Sequence, residues 1–417
     1  MEDMTKATAG TDARRSIGDY ERDPIEAWEE QRRKPWQIYV DAELGLRNHW
    51  YPAFFSRELD EADVSSSGGE PVSQFKSLTM LGEKILFRRI GGQVYAVQDW
   101  CLHRGVPLSR RPECYTADTI TCWYHGFTYD VKDGRLTAVV TDPECPLIGK
   151  LRLRSYPVEE QKGMVFVFIG DIDPPPLSDD LQPGFLDPGL AISPDGWSRE
   201  VACNWRPAAE NGFDPAHAYI HRNSELVKKY KIPTVLGDTG ISRKRGLEIC
   251  DGAGPVGIRL LRGAADSIWE ADVHGVKIEA LYRPGEPGVL EGMIPEVSIW
   301  LPCGLVVDPM PKPGWVHYEW YVPVDENHHR YIMTWGTRVT GESDRAEFED
   351  EVKRVWRDAL PNEFNHDDVF AREAMAEFYS GEDGWYRERL FGPDVVITEW
   401  RILASRKARG VQPRRKK

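Results

Sequence analysis

Hydrophobic and polar positions divide this chain into a first part that reads as strands and a second part that mixes strands with helices. From Asn48-His49-Trp50-Tyr51-Pro52 onward the pattern is that of a sheet. Lys84-Ile85-Leu86-Phe87-Arg88-Arg89-Ile90 and Gln93-Val94-Tyr95-Ala96-Val97 flank Gly91-Gly92, which predicts a hairpin. A second hairpin is predicted around Lys132-Asp133-Gly134, and the apolar run Met164-Val165-Phe166-Val167-Phe168-Ile169 predicts a buried strand. Asp171-Ile172-Asp173-Pro174-Pro175-Pro176 cannot continue a sheet, because proline lacks the N–H donor, and it reads as a linker. Beyond it, strands are predicted over Val256–Leu261, Val297–Leu301, Gly304–Val307 and Trp315–Val322. A helix over Ser343–Leu360 places Phe348, Val352, Val355, Trp356 and Ala359 on one stripe. Pro393 opens a last helix that turns Val396, Ile397, Trp400 and Leu403 inward and ends near Gly410.

The implied organisation is an N-terminal arm over 1–38, with a helix start at Asp23-Pro24, then a small β domain over 39–170, a linker over 171–187 and an α+β domain over 188–417. A chain of 417 residues is too long for one ordinary core. The basic residues of 406–417 read as a solvated tail.

A net charge of −14 repels phosphate and so argues against nucleic acid and anionic membranes as partners, while a basic redox protein remains compatible. Seven cysteines show no paired spacing beyond Cys101 and Cys122, which suits a reducing compartment. The charged N-terminus lacks the apolar core of a signal peptide, and no apolar run is long enough to span a bilayer. The expectation is a soluble cytoplasmic protein.

Two segments carry chemistry. Cys101-Leu102-His103-Arg104-Gly105 and Cys122-Trp123-Tyr124-His125-Gly126 supply two thiolates and two imidazoles in the order Cys, His, Cys, His, the ligand set of a Rieske [2Fe–2S] centre. Zinc accepts the same donors, but its fingers usually run as a cysteine pair followed by a histidine pair. Here each half-motif mixes the two types, as a cluster requires when the cysteines hold one iron and the histidines the other. The second segment runs from Glu210 through Asn211, Gly212, Phe213, Asp214 and Pro215 to His217 and His221. On an α-helix His217 and His221 project from one face with Asp214, so two imidazoles can grip one metal. Non-haem Fe(II) oxygenases use two histidines and one carboxylate and leave open positions for dioxygen and substrate. Asp214 lies so near both histidines that it suits a hydrogen bond to an imidazole N–H better than ligation. The carboxylate is then expected from Asp367 or Asp368, which also suit the first turn of a helix as caps.

Together these residues resemble the Rieske non-haem iron aromatic-ring-hydroxylating oxygenases from about Tyr39 to Gln412. The motifs Cys101-x-His103, Cys122-x-x-His125, Asn211-Gly212-Phe213-Asp214-Pro215-x-His217-x-x-x-His221 and Asp368-x-x-x-x-Glu373 stand in family order. By that resemblance Asp368 is the third iron ligand rather than Asp367, and Asp214 and Asn211 belong to the catalytic machinery. Runs such as Ile120-Thr121-Cys122-Trp123-Tyr124-His125 and Glu319-Trp320-Tyr321-Val322-Pro323 look like the carbazole-type members. There the residue matching Gly212 offers a carbonyl to the substrate N–H, and the residue matching Phe364 lines the apolar wall.

The resemblance implies a small all-β Rieske [2Fe–2S] domain followed by a helix-grip catalytic domain, in which an antiparallel sheet wraps long helices. It further implies a mononuclear Fe(II), O₂ as co-substrate, a homotrimer, a ferredoxin partner with an NAD(P)H-dependent ferredoxin reductase, and dioxygenation of an aromatic or N-heteroaromatic ring. Residues 237–295 depart from the pattern. A monooxygenase of a nitrogen heterocycle, similar to 2-oxoquinoline 8-monooxygenase, or an N- or O-demethylase would carry the same ligands. A Rieske electron carrier fused to a ligand-binding domain would have no reason for the two-histidine, one-acid set.

Overall fold

The computed structural model describes residues 35–59, 75–231, 237–238, 246–261, 267–268, 270–279, 296–381 and 383–414. The helix start expected at Asp23-Pro24 lies outside them, as does about half of the 237–295 segment.

The predicted hairpin is built from Glu83–Ile90 and Gln93–Gln98, joined through Gly91 and Gly92 at φ 56° and 80°. Only glycine adopts that left-handed turn without a Cβ penalty. Phe75–Met80 and Ser155–Tyr156 complete a four-stranded sheet, and Thr119–Thr121, Phe127–Asp130 and Leu136–Val139 form a three-stranded one, with the second predicted hairpin between its last two strands. Met164–Ile169 is buried at every position and pairs with His49–Phe55. Every side chain of that pair faces a core, because helices and sheet of the second domain cover the face a hairpin would otherwise leave to water. One core runs continuously from these two strands into the catalytic domain, through Phe166, Phe185, Tyr318 and Trp320. A separate cluster of Leu86, Val97, Leu108, Ile120, Tyr129 and Leu136 fills the lobe that carries Cys101 and Cys122.

Beyond the linker an antiparallel sheet is ordered Leu190–Ile192, His329–Arg338, Trp315–Pro323, Gly304–Asp308, Glu296–Trp300, Gly257–Leu260 and Leu247–Cys250, with Trp197–Val201 also on His329–Arg338. The helix Trp205–Phe213, buried at all nine positions, lies on its central strands. The helix predicted over Ser343–Leu360 is present as Glu342–Glu351 and Arg357–Glu363, joined by one wider turn over Val352–Trp356.

The C-terminus corrects the sequence reading. The last helix spans Val395–Lys407 and stops short of Gly410, and the described residues after it, 408–414, form a strap rather than a solvated tail. Val411 bridges Leu46, Arg47 N–H donates to the Gly410 carbonyl (2.9 Å), and Gln412 N–H donates to the Gly45 carbonyl (3.0 Å). Arg409 pairs with the buried Asp180 and donates its main-chain N–H to His49 Nε2 (3.2 Å). Arg409 Nη2 also comes within 2.9 Å of His49 Nδ1, which lies 2.7 Å from Asp180 Oδ1, so His49, Asp180 and Arg409 form one buried polar cluster. A run of Arg and Lys at a chain end ordinarily means hydration; here buried Asp180 and the partly buried Glu83, reached through Gln412 and Arg47, give it partners.

Candidate metal centres

The two Cys/His segments fold as near-copies of one turn. Cys101 N–H donates to the Val106 carbonyl (2.9 Å) and Gly105 N–H returns to the Cys101 carbonyl (2.8 Å). Cys122 N–H donates to the Phe127 carbonyl (2.7 Å) and Gly126 N–H to the Cys122 carbonyl (2.9 Å). Gly105 and Gly126 both close the turn at positive φ, 69° and 70°. Trp123 Nε1 ties the turns together through the Pro107 carbonyl at 3.3 Å. Both cysteines are buried, and the Cys101 thiol lies 3.5 Å from the Tyr129 hydroxyl. Burial pushes the Cys122 thiol up, the direction in which a thiol without a cation remains protonated. The imidazoles sit toward the surface, with ring centres 4.6 Å apart and His103 stacked on Phe127 at 4.9 Å. The His125 Nδ1 is buried without a hydrogen-bond partner. Thiols inside and imidazoles outside is an arrangement suited to a two-iron cluster with an outward, reducible iron.

The second site lies where the helix Trp205–Phe213 ends. Asp214 caps the following turn, accepting the Ala216 N–H at 2.8 Å, and Pro215 starts it with a preset φ. That following segment, Pro215–Asn223, is a 3₁₀ helix and not the α-helix predicted, so residues four apart do not stack on one face. His217 and His221 still meet, with rings perpendicular and centres 5.5 Å apart. Asp368 comes from the first turn of the helix Asn365–Met375. Its Oδ1 lies 3.6 Å from His217 Nε2 and its Oδ2 lies 3.6 Å from His221 Nε2. Among the described residues, His217, His221 and Asp368 bring three ligand atoms within 4.8 Å of one another. The Cys101, His103, Cys122 and His125 donors do not converge on one point in this way, as suits donors divided between two irons.

Each ligand candidate is oriented by a neighbour. His217 Nδ1 donates to the main-chain carbonyl of Asp214, leaving Nε2 for the site. The Asp214 carboxylate thus caps the turn, and its carbonyl makes the imidazole contact that the sequence reading gave to the side chain. His221 stacks on Phe364 at 3.8 Å and 11°, with Nδ1 toward Asp367 Oδ2 at 3.6 Å. Asp367 therefore faces the back of His221, while Asp368 faces the metal position. Burial would lower the His221 imidazole, but Asp368 and Asp367 outweigh it and raise it to about 9. Burial pushes the Asp368 carboxyl up, and His221 with Arg372 holds it well below the usual carboxylate range. Burial likewise raises the Asp214 carboxyl, opposed by His217.

Beneath the triad lies a polar network that the sequence pattern did not reveal. Arg372, fully buried, donates Nε to Asn211 Oδ1 at 2.6 Å and lies over the stacked rings of Tyr321 and Tyr331 at 4.9 and 4.5 Å. Buried Glu319 pairs with His317 Nε2 at 2.7 Å and accepts the Tyr321 hydroxyl. Asn365 joins Glu319, Tyr331 and Asp368. Gly212 packs directly on this network: a Cβ there would stand 2.0 Å from the Tyr321 hydroxyl oxygen. A lone acid in the strand Trp315–Pro323 and an arginine four residues after Asp368 were the available signals, and each reads as solvent-facing until the covering helices are placed.

A triad of two imidazoles and a carboxylate, half-buried at His217 and buried at His221 and Asp368, in a chain that also carries paired Cys/His turns on a β domain, defines an oxygenase with its own electron store. Residues 49–157 match the Rieske [2Fe–2S] domain, and residues 168–412 match the homotrimeric ring hydroxylases. The chain belongs to the Rieske-type homotrimeric ring hydroxylases, which hold a [2Fe–2S] cluster and a non-haem iron and use O₂. Within that family it is similar to the terminal oxygenase component of carbazole 1,9a-dioxygenase from Metapseudomonas resinovorans, 45% identical over 92% of this chain and 96% of that protein. The Sphingomonas counterpart is 44% identical, over 93% and 98%. The terminal oxygenase of carbazole 1,9a-dioxygenase from Novosphingobium sp. KA1 superposes with a TM-score of 0.85 at 41% identity, covering 94% of this chain and all of that one. A reduced complex between oxygenase and ferredoxin in carbazole 1,9a-dioxygenase gives 0.84 at 41%, covering 93% and 96%. Among the described residues no helix is long and apolar enough to cross a membrane.

Proposed function

We propose that this chain is the terminal oxygenase component of an NAD(P)H-dependent three-component dioxygenase that adds both atoms of O₂ to an N-heteroaromatic ring, with angular, carbazole-type dioxygenation as the reaction. The carrying observation is that His221 Nδ1 and Nε2 and Asp368 Oδ1 are buried with no hydrogen-bond partner, a costly arrangement that a bound cation at Nε2 and Oδ1 relieves. His217, His221 and Asp368 would hold the mononuclear iron, and Cys101, His103, Cys122 and His125 the [2Fe–2S] cluster. When bound, the cluster supplies single electrons and the mononuclear iron activates dioxygen beside the ring.

The chain's own residues bind and orient. The Gly212 carbonyl is one of the last four of its helix, where no intrahelical donor reaches it, and it offers an acceptor to a ring N–H. Phe364, flat against His221, supplies an apolar wall. Asn211 is held by Arg372 one residue before Gly212 and fixes the end of that helix. Asp214 stands between the two chemistries, at the edge of the site where a neighbouring subunit's cluster domain would approach. Exposed Leu102, Tyr124 and Val140 around the cluster turns, and exposed Phe370, Phe378 and Phe391 on the catalytic domain, are the apolar patches a trimer would cover. A ferredoxin, reduced by its reductase, is the electron donor, in the reducing cytoplasm that the free cysteines suit.

The test is turnover of carbazole under ¹⁸O₂ with ferredoxin and reductase, alongside iron and acid-labile sulfide determination. About three irons and two sulfides per chain are expected, with both oxygens of the product labelled. One labelled oxygen would favour the monooxygenase reading, and full activity with about two irons would remove the mononuclear site.

A further inference from the structure

Two carboxylates, Asp368 and Glu319, are buried on either side of a single neutral amide, that of Asn365. Asn365 Nδ2 lies 2.9 Å from the Tyr331 hydroxyl, 3.1 Å from Asp368 Oδ2 and 3.4 Å from Glu319 Oε1. The amide can point only one way. Turned over, its oxygen would face two carboxylate oxygens without a donor between them, the arrangement a buried site tolerates least. Glu319 is itself immobilised by His317 and Tyr321, and Tyr331 is stacked on Tyr321 at 5.5 Å under Arg372. The donor aimed at Oδ2 is thus held by groups that have no freedom to follow Asp368. The other oxygen, Oδ1, is buried, lacks a hydrogen bond, and has Arg372 Nη2 no nearer than 4.0 Å.

We propose that Asn365 is a positioning residue that biases Asp368 toward one-oxygen ligation: its amide occupies one lone pair of Oδ2, which faces His221 Nε2, and leaves Oδ1, which faces His217 Nε2, as the oxygen with no competing donor. This rests on the assignment of His217, His221 and Asp368 as the iron ligands. The consequence is chemical. A carboxylate that grips with both oxygens closes a coordination position; one held back by an amide leaves that position for dioxygen beside the substrate. The proposed role is exerted through Asp368, which the Asn365 amide contacts directly.

The test replaces the mononuclear iron with Co(II) in the cluster-containing protein, so that X-ray absorption at the cobalt edge reports that site alone. Wild type should bind cobalt, and Asp368→Ala should lose it. If wild type binds none, or Asp368→Ala binds equally well, the ligand assignment fails and this inference fails with it. Given that binding, Asn365→Leu should raise the count of oxygen and nitrogen neighbours by about one and weaken the cobalt pre-edge feature as the site closes toward six-coordination. Unchanged spectra in Asn365→Leu would overturn the role of Asn365 while leaving the ligand assignment intact. Should Asn365→Leu fail to fold, Asn365→Ser reads the same property, because its hydroxyl ends where the amide carbon stood and falls short of Oδ2. The same rise is expected there, and its absence is equally decisive.

Discussion

Replacing Gly212 by Ala tests whether the helix that carries the site is pressed onto the buried network. The added Cβ would stand 2.0 Å from the Tyr321 hydroxyl oxygen, 2.9 Å from its Cζ and 3.2 Å from Leu305 Cδ2. Tyr321 has nowhere to go: it stacks on Tyr331, lies under Arg372, and donates to Glu319. Overpacking a filled site costs about 1–3 kcal/mol, and drawing the hydroxyl off a buried carboxylate costs about 1.5–3 kcal/mol more. Alanine's better helix propensity offsets about 1 kcal/mol. The net expectation is a loss of about 1.5–5 kcal/mol.

Tyr321→Phe alone should cost about 1.5–3 kcal/mol, by removing one donor from Glu319. If the clash is what hurts Gly212→Ala, removing the hydroxyl should recover part of the loss, the 2.9 Å approach to Cζ remaining, and the two changes should couple by at least about 1 kcal/mol. Urea midpoints of the four proteins, read by tryptophan fluorescence, measure this. A wild-type midpoint for Gly212→Ala, or strict additivity in the double variant, would refute the reasoning and leave substrate contact as the sole demand for glycine at this position.

Arg409→Ala should loosen the C-terminal strap, costing about 1–3 kcal/mol because Asp180 loses a charged partner while keeping His49 and the Trp50 N–H. Faster proteolytic release of the residues after Lys407 would show it, and an unchanged cleavage rate would return them to the status of a tail. Burial and the neighbouring Arg372 lower the His329 imidazole to about 3, against the pull of the Cys203 carbonyl. Its folded value lies below its unfolded one, so its contribution to stability is complete above about pH 6.5 and is lost as pH falls from there toward 3. His329→Asn should flatten the fall in urea midpoint between pH 7 and 5, and an unaltered slope would assign the acid sensitivity to other groups.

What the sequence disclosed depended on how local each feature is. The cluster turns close on themselves within a few residues, with a glycine at the same place in each, so residue order alone carried their chemistry. The hairpin at Gly91-Gly92 was legible for the same reason. His217 and His221 were legible as a pair but not as geometry, because a spacing of four fits an α-helix and the chain instead makes a 3₁₀ helix after Pro215. The support of Asp368 was not legible. Glu319 and Asn365 are 46 residues apart, and Arg372 reaches Asn211 across 161. In a strand, alternation assigns such a glutamate to water; only packing of the helices Trp205–Phe213 and Asn365–Met375 over that face makes it internal.

The continuous core bears on how electrons reach the catalytic site. Domains joined by a proline linker are expected to swing unless their interface is large and apolar. Here His49–Phe55, which lies in the Rieske match, and its partner strand Met164–Ile169 are packed into the catalytic core, and Gly196 lies so close to Phe55 that a Cβ would meet its ring at 2.2 Å. The strap adds Arg409, reaching from the last helix back to His49. The cluster lobe is therefore held at one place relative to its own His217, His221 and Asp368, and tethered swinging is not available as a shuttle. In the proposed trimer, the cluster that serves a given site is selected by the packing of subunits, which places the demands of electron transfer on the exposed faces around Tyr124 and Phe370 rather than on the linker.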